Sequence, residues 1–131
     1  MQVNVLRADG VIVSTPTGST AYSTAAGGPM VVPSTPCIII TPVASRALSC
    51  RSIVVADTSA VEIRIPRTSR SLCRLRFDGK VDADLEPGAV VRFTTSAWLL
   101  PTVSAGPLDL DWYNRINLKL FWNKRTEQLP G

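Results

Sequence analysis

A mainly β, sandwich-like domain with two short helices is what this sequence predicts, and three observations predict it. Short apolar runs at residues 61–65 and 72–77 alternate with polar residues. They lie between turn signals at Pro66, Asp78-Gly79 and Glu86-Pro87-Gly88. No strand–helix–strand rhythm runs through the chain, so a complete doubly wound α/β domain is not encoded. A helix is predicted in only two places, after the break at Pro16 to Gly18 and from Asp109 onward.

The elements follow in order. Residues 1–6 read as a short strand or a lead-in. Val11-Ile12-Val13 is apolar and β-branched and reads as a buried strand through Ser14. Pro16 and Gly18 break it. Thr17, Ser19 or Thr20 is then placed to cap a helix over residues 21–26, which Gly27-Gly28-Pro29 stops. Pro33-Ser34-Thr35-Pro36 is a loop. Cys37-Ile38-Ile39-Ile40-Thr41 is apolar on both faces, which predicts a central strand ended by Pro42. Residues 43–52 have no clean period and read as an irregular loop, and Ile53-Val54-Val55 is the next strand.

Val61, Ile63 and Ile65 then face inward, as do Cys73, Leu75 and Phe77, with Arg74 and Arg76 outward. The link at residues 66–71 predicts a hairpin between these two strands. Asp78-Gly79 and Glu86-Pro87-Gly88 are turns, and residues 89–95 form a further strand with Val91 and Phe93 on one face. After a proline-punctuated connection, Trp112, Ile116 and Leu120 recur at four-residue steps. Asp109 or Asp111 can start this helix, and Lys119, Lys124 and Arg125 favour its end. Its apolar face must dock on this domain or on a partner.

Composition narrows the function. The chain has 131 residues, enough for one domain with a core of its own, and is 45% apolar and 18% charged, too apolar for disorder. Its net charge of +4 suits anionic small molecules as well as nucleic acid. The chain contains no histidine, which excludes Ser-His-Asp catalysis and argues against zinc. Cys37, Cys50 and Cys73 are odd in number and show no C-x-x-C spacing, so reduced thiols are expected. No signal-peptide core and no apolar run of about 18 residues is present. The expectation is a soluble cytoplasmic protein with no membrane and no nucleic-acid partner. The arginines near residues 64–76 lie on a solvent face with no outward aromatics between them to stack bases. Asp82, Asp84 and Glu86 lack the ligand count of a calcium loop and read as solvated.

The stretch with chemical promise is Ser14-Thr15-Pro16-Thr17-Gly18-Ser19-Thr20-Ala21-Tyr22. A strand runs into a hydroxyl-rich turn and then a helix start, which offers backbone N–H groups and short donors to a polar or anionic ligand. A plain helix cap needs only one of those hydroxyls. Asp9, just ahead of the strand, is a candidate acceptor for ribose hydroxyls.

The run from Asp9-Gly10 through Ala21-Tyr22, continued by Gly27-Gly28-Pro29 and Pro33, closely resembles the signature of the NAD kinase family. Further blocks resemble it too: Ile40-Thr41-Pro42, Leu48-Ser49 with Arg51, Ile53-Val54-Val55, Phe77-Asp78-Gly79, Leu100-Pro101, Asp111-Trp112 and Trp122-Asn123. The family's catalytic unit has two domains, and this chain is similar to the second, β-rich one, which supplies much of the NAD site. The resemblance implies a kinase that moves a phosphoryl group from ATP (polyphosphate in some members) to the 2′-hydroxyl of the adenosine ribose of NAD, giving NADP. A divalent metal, usually magnesium, assists. It also implies NAD-binding roles for Asp9, Thr17, Thr20, Ala21 and Tyr22, with Ala25, Ala44 and Asp78 as further candidates. A homo-oligomer, dimer or tetramer, is implied as well.

Two departures stand out. The family's Gly-Gly-Asp-Gly, with its catalytic aspartate, and its Asn-Glu pair do not occur in this sequence; Ala8-Asp9-Gly10 is a different motif. Both belong to the family's N-terminal domain, so the catalytic residue is expected outside this chain and no metal ligand is assigned within it. Ser45-Arg46-Ala47 stands where eukaryotic members carry Pro-His-Ser. The alternative to a kinase half is a catalytically inactive dinucleotide-binding or oligomerisation module.

Overall fold

The computed structural model describes residues 5–122, and the side chains of Val81 and Asp82 are outside what it describes. The expectations for residues 1–4, Asn123, Lys124, Arg125 and the Asp82 side chain fall outside it. The described residues form two compact units, one made of the chain up to Asp57 together with the chain from Trp98 on, the other Thr58–Ala97.

In the first unit β1 (Gly10–Ser14), β2 (Cys37–Val43) and β3 (Ile53–Ala56) form an antiparallel sheet with β2 in the middle. The central place follows from the sequence. A strand hydrogen-bonded on both edges and covered on a face buries its side chains, and Cys37, Ile38, Ile39 and Thr41 are all buried. Pro42 does not end β2. The β2–β3 ladder stops at Ile40 opposite Ile53, whereas the β1–β2 ladder continues through Val11 opposite Pro42 to Gly10 opposite Val43. Proline is tolerated there because one side of β2 no longer needs a ladder bond. β1 is half-buried along its length rather than buried.

After β1 the chain makes a 3-10 turn, Thr17–Thr20, and then α1 (Tyr22–Ala25). The expected cap by Thr17, Ser19 or Thr20 is absent: the N-cap positions are Pro16 and Ala21, neither of which makes a side-chain cap bond, and Ala21 breaks the backbone between the two pieces. The stop signal is as expected. Gly27 takes φ +85°, its N–H reaches Thr24 O at 2.9 Å, and Gly28 N–H reaches Ser23 O at 2.7 Å. These are the paired bonds of a Schellman motif, whose left-handed residue is glycine because a Cβ would be strained there.

α2 (Leu108–Lys119) begins at Pro107, not at an aspartate cap. Asp109 and Asp111 sit in its first turn, where a negative charge suits the helix dipole. Asp109 Oδ2 accepts from Ser34 Oγ at 2.9 Å and Asp111 Oδ2 from Ser104 Oγ at 3.1 Å. The docking face is the expected one only in part, and it packs within its own unit: Ile116 is 4% exposed and Trp112 is half-buried, but Leu120, at the C-cap, is 45% exposed.

The second unit consists of two ribbons. β4 (Val61–Arg64) pairs with β7 (Val90–Phe93), and β5 (Cys73–Phe77) pairs with β6 (Lys80–Leu85). This overturns the expected hairpin of the 61–65 and 72–77 strands. The true hairpin is closed by Asp78-Gly79, with φ +47° and +83°, between Phe77 and its partner Lys80. Positive φ at both turn residues matches the twist of the strands, so a two-residue loop closes β5 on β6 and leaves β4 to pair elsewhere. β6 was not expected. Its alternation, Val81, Ala83 and Leu85, was masked by the neighbouring carboxylates, of which Asp84 faces Arg74 across the ribbon at 3.6 Å. Phe77, expected inward, is 54% exposed because it borders the turn.

Few apolar residues are buried outright, Cys37, Ile38, Ile39 and Ile116 among those described, so the core is smaller than the composition suggests. The mainly β class holds, with 28% strand and 17% helix. Among the described residues no helix is long and apolar enough to cross a membrane. All three cysteines are free thiols. Burial on β2 pushes the Cys37 thiol up, and the Asp57 carboxylate adds to that. A raised thiol holds less thiolate, so iodoacetamide at pH 8 is expected to label Cys50 and Cys73 first and Cys37 last, as read by peptide mass. Equal labelling of Cys37 would contradict this packing.

Candidate functional site

The hydroxyls of the turn divide into two sets. Ser19 and Ser23 are buried and hold the turn from behind. Val31 N–H donates to Ser19 Oγ at 2.9 Å, which ties the turn to the segment before Pro33. Ser23 Oγ lies 2.8 Å from Thr41 Oγ1, which ties α1 to the central strand. Thr24 Oγ1 donates to Ser19 O. Gly28 lies against the Ser23–Thr41 pair so closely that a Cβ would fall on Ser23 Oγ and come within 2.6 Å of Thr41 Oγ1.

The second set faces outward. Thr17 and Thr20 line a cleft of about 300 Å³ whose opposite wall is α2, with Trp112, Arg115, Ile116 and Lys119 on it. Thr17 Oγ1 sits 3.0 Å from Thr15 Oγ1, and Thr20 Oγ1 reaches back to Thr17 O at 3.4 Å. The backbone offers less than expected. Gly18 N–H donates to Thr15 Oγ1, Ser19 N–H to Pro16 O and Ala21 N–H to Gly18 O, so the turn itself uses these amides. Side-chain hydroxyls, not a helix N-terminus, are what this turn presents.

The candidate residues fall into three places. Thr17, Thr20, Ala21, Tyr22 and Ala25 share the turn and α1; Ala21 and Ala25 are exposed, and Tyr22 is 64% exposed. Asp9 and Ala44 come together at the other end of β1, where Asp9 N–H donates to Val43 O at 3.0 Å. Ala44 there takes φ +48°, a strained value for a non-glycine residue. Arg46 N–H donates to Arg7 O at 3.0 Å, so the 44–46 loop is fastened beside Asp9. The five residues of β1 put about 17 Å between these two groups. Asp78 is on the β5–β6 turn of the second unit.

The sequence reading missed the supporting set, Gly28, Ser23 and Thr41, and the wall formed by Arg115 and Lys119. A signal for the wall was present: Asp111, Arg115 and Lys119 recur at four-residue steps, which places them on one helix stripe. Among the described residues no group of three or more His, Cys, Asp or Glu side chains could hold a metal ion.

The family model described as the ATP-NAD kinase C-terminal domain matches residues 2–104. The chain belongs to that family. The match takes in β1, the hydroxyl turn and α1, together with both ribbons, and stops short of α2. "NAD kinase 2, chloroplastic" of Arabidopsis thaliana is 44% identical over 126 residues, which is 96% of this chain and 13% of that protein. "NAD(+) kinase" of Saccharomyces cerevisiae is 38% identical over 126 residues, covering 96% of this chain and 23% of that protein. A crystal structure of yeast NADH kinase complexed with NADH superposes with a TM-score of 0.75 at 31% identity, covering 98% of this chain and 37% of that one. The chain therefore spans a small part of the ATP-NAD kinase relatives it matches.

Proposed function

We propose that this chain is the dinucleotide-binding half of an ATP-NAD kinase, which transfers a phosphoryl group from ATP to the 2′-hydroxyl of the adenosine ribose of NAD and yields NADP. The observation that carries this reading is the hydroxyl turn. Thr17 and Thr20 open onto a cleft while Ser19 and Ser23 lock the turn from behind, so the turn that carries the cleft-facing hydroxyls is held in place. Asp9 accepts hydrogen bonds from ribose hydroxyls at the far end of β1, and an extended dinucleotide is long enough to reach both ends. Ala21, Ala25 and Ala44 leave room for it, and Tyr22 offers a ring face. Asp78, on the β5–β6 turn of the second unit, is a further candidate NAD-binding residue.

The family's magnesium enters with ATP. The described residues provide no ligand set of their own for it, and no step in this chain is routed through it. The catalytic aspartate is that of the family's Gly-Gly-Asp-Gly, a motif this sequence does not contain. Both units are parts of one kinase domain in this reading. Exposed Leu48, Leu99 and Leu100 support burial of apolar surface in a homo-oligomer, a dimer or tetramer. Free thiols fit a reducing compartment such as the cytoplasm.

Two measurements test the proposal. The purified chain is expected to bind NAD by calorimetry and to form no NADP from NAD, ATP and magnesium in a dehydrogenase-coupled assay. Turnover would place a catalytic aspartate, Asp9 or Asp78, within these residues and overturn the half-site reading. Asp9→Ala and Tyr22→Ala are each expected to weaken NAD binding by about 1–2 kcal/mol, the loss of a partly exposed polar contact. Unchanged titrations for both variants would remove them from the site.

A further inference from the structure

We propose that the outer face of α2 is an interface with a second copy of this chain, in which two α2 helices lie antiparallel across a two-fold axis. The inference deepens the homo-oligomer reading and rests on it. It assigns a role to α2, which lies beyond the residues the family model matches.

α2 docks through one side. Ile116 is buried, and Asn114 and Leu118, two residues before and after it, stand about 160° around the helix from it. That outer side is apolar as well. Leu110, Leu118 and Phe121, the last just past the C-cap, are all more than half exposed, and Tyr113 beside them is exposed too. Among these residues sit two exposed asparagines, Asn114 and Asn117. Asparagine inside a helix is less favourable than most residues, because its amide competes for backbone partners. Large apolar side chains in water, grouped around central amides, are what a helix presents when a polar layer sets the register of a helix pair.

The pattern names the partner. Leu110, Asn114, Asn117 and Phe121 are spaced by four, three and four residues, so the order apolar, amide, amide, apolar reads the same from either end. A two-fold contact requires such self-complementarity, because the same patch serves on both copies. With the axis level with the Arg115–Ile116 peptide, Leu110 meets the partner's Phe121, Tyr113 meets the partner's Leu118, and Asn114 meets the partner's Asn117. Each amide both donates and accepts, so facing asparagines satisfy one another. The charges set the direction. Asp109 and Asp111 lie in the first turn and Lys119 in the last, so antiparallel packing brings each acidic end beside a basic end, whereas parallel packing joins like ends. The helix is about 18 Å long, and two such helices bury less than the roughly 1,200 Å² of a stable complex. The pairing is therefore weak and depends on concentration.

Sedimentation equilibrium of the full chain tests the interface. The average mass is expected to double between about 2 µM and about 0.2 mM, the range of a weak contact of this size. Leu118→Glu is expected to abolish the doubling, with circular dichroism confirming that the helix is retained. Two double variants test the register. Asn114→Asp with Asn117→Asp sets carboxylates face to face and is expected to prevent association. Asn114→Asp with Asn117→Lys sets opposite charges face to face and is expected to restore it at low salt. A wild type that is monomeric throughout rejects this interface and the homo-oligomer together, and leaves the face to the kinase's Gly-Gly-Asp-Gly half. Association unchanged in Leu118→Glu, or equal in the two double variants, keeps the homo-oligomer and overturns the α2 interface alone.

Discussion

Gly28→Ala is expected to destabilise the first unit by about 3 kcal/mol, the cost of forcing a methyl group into a filled interior. The added Cβ would meet Ser23 Oγ, Thr41 Oγ1 at 2.6 Å and the Ser23 carbonyl oxygen at 2.8 Å. None of these is the free end of a flexible side chain. The carbonyl is tied to the Gly28 N–H at 2.7 Å, and the two hydroxyls are buried against each other at 2.8 Å. Relief requires moving α1 off the central strand, which separates that hydroxyl pair and tilts the turn carrying Thr17 and Thr20. Urea denaturation followed by circular dichroism measures the change. Gly27→Ala is the control: its φ of +85° makes alanine strained, but a Cβ there meets nothing within 4 Å. That variant is expected to cost only about 1 kcal/mol. If Gly28→Ala were no worse than Gly27→Ala, close approach would not be the reason for glycine at this position.

Ile116→Ala is expected to cost a further large amount, about 3 kcal/mol in the same assay, because a buried isoleucine leaves a cavity when truncated. Ile116 is 4% exposed and is the buried anchor of α2. Asp109 with Ser34 and Asp111 with Ser104 hold the first turn of the helix, but these are polar contacts of about 1 kcal/mol each at most. Loss of the anchor therefore loosens the last two turns, where Arg115 and Lys119 lie, and widens the cleft. Leu118→Ala is the comparison. Leu118 is 72% exposed, and its truncation is expected to stay within about 0.5 kcal/mol. Equal effects of the two variants would mean that α2 does not dock through Ile116.

Several features were legible before any coordinates. The central place of Cys37-Ile38-Ile39-Ile40-Thr41, the stop at Gly27-Gly28, the Asp78-Gly79 turn and the Trp112–Ile116 face all follow from local rules, because each depends on a backbone angle or on a periodicity that neighbouring residues carry. The strand pairing of the second unit was not legible. β4 and β5 are adjacent in the chain and alternate alike, yet β4 pairs with β7, whose residues lie about thirty positions away. Alternation states which face of a strand is buried and is silent on its partner.

The same division applies to the site. By itself the sequence determined that a hydroxyl-rich turn follows a strand, that histidine chemistry is excluded and that the turn carries an NAD kinase signature, since these are properties of residue type and order. Only the tertiary structure decided which hydroxyls are free to meet a ligand. Ser19 and Ser23 look like Thr17 and Thr20 in the sequence, and they differ because Val31 and Thr41, brought in from distant positions, bind them on the buried side. The cleft likewise exists only because α2 folds back onto the turn, a contact between residues some ninety positions apart that no local pattern encodes.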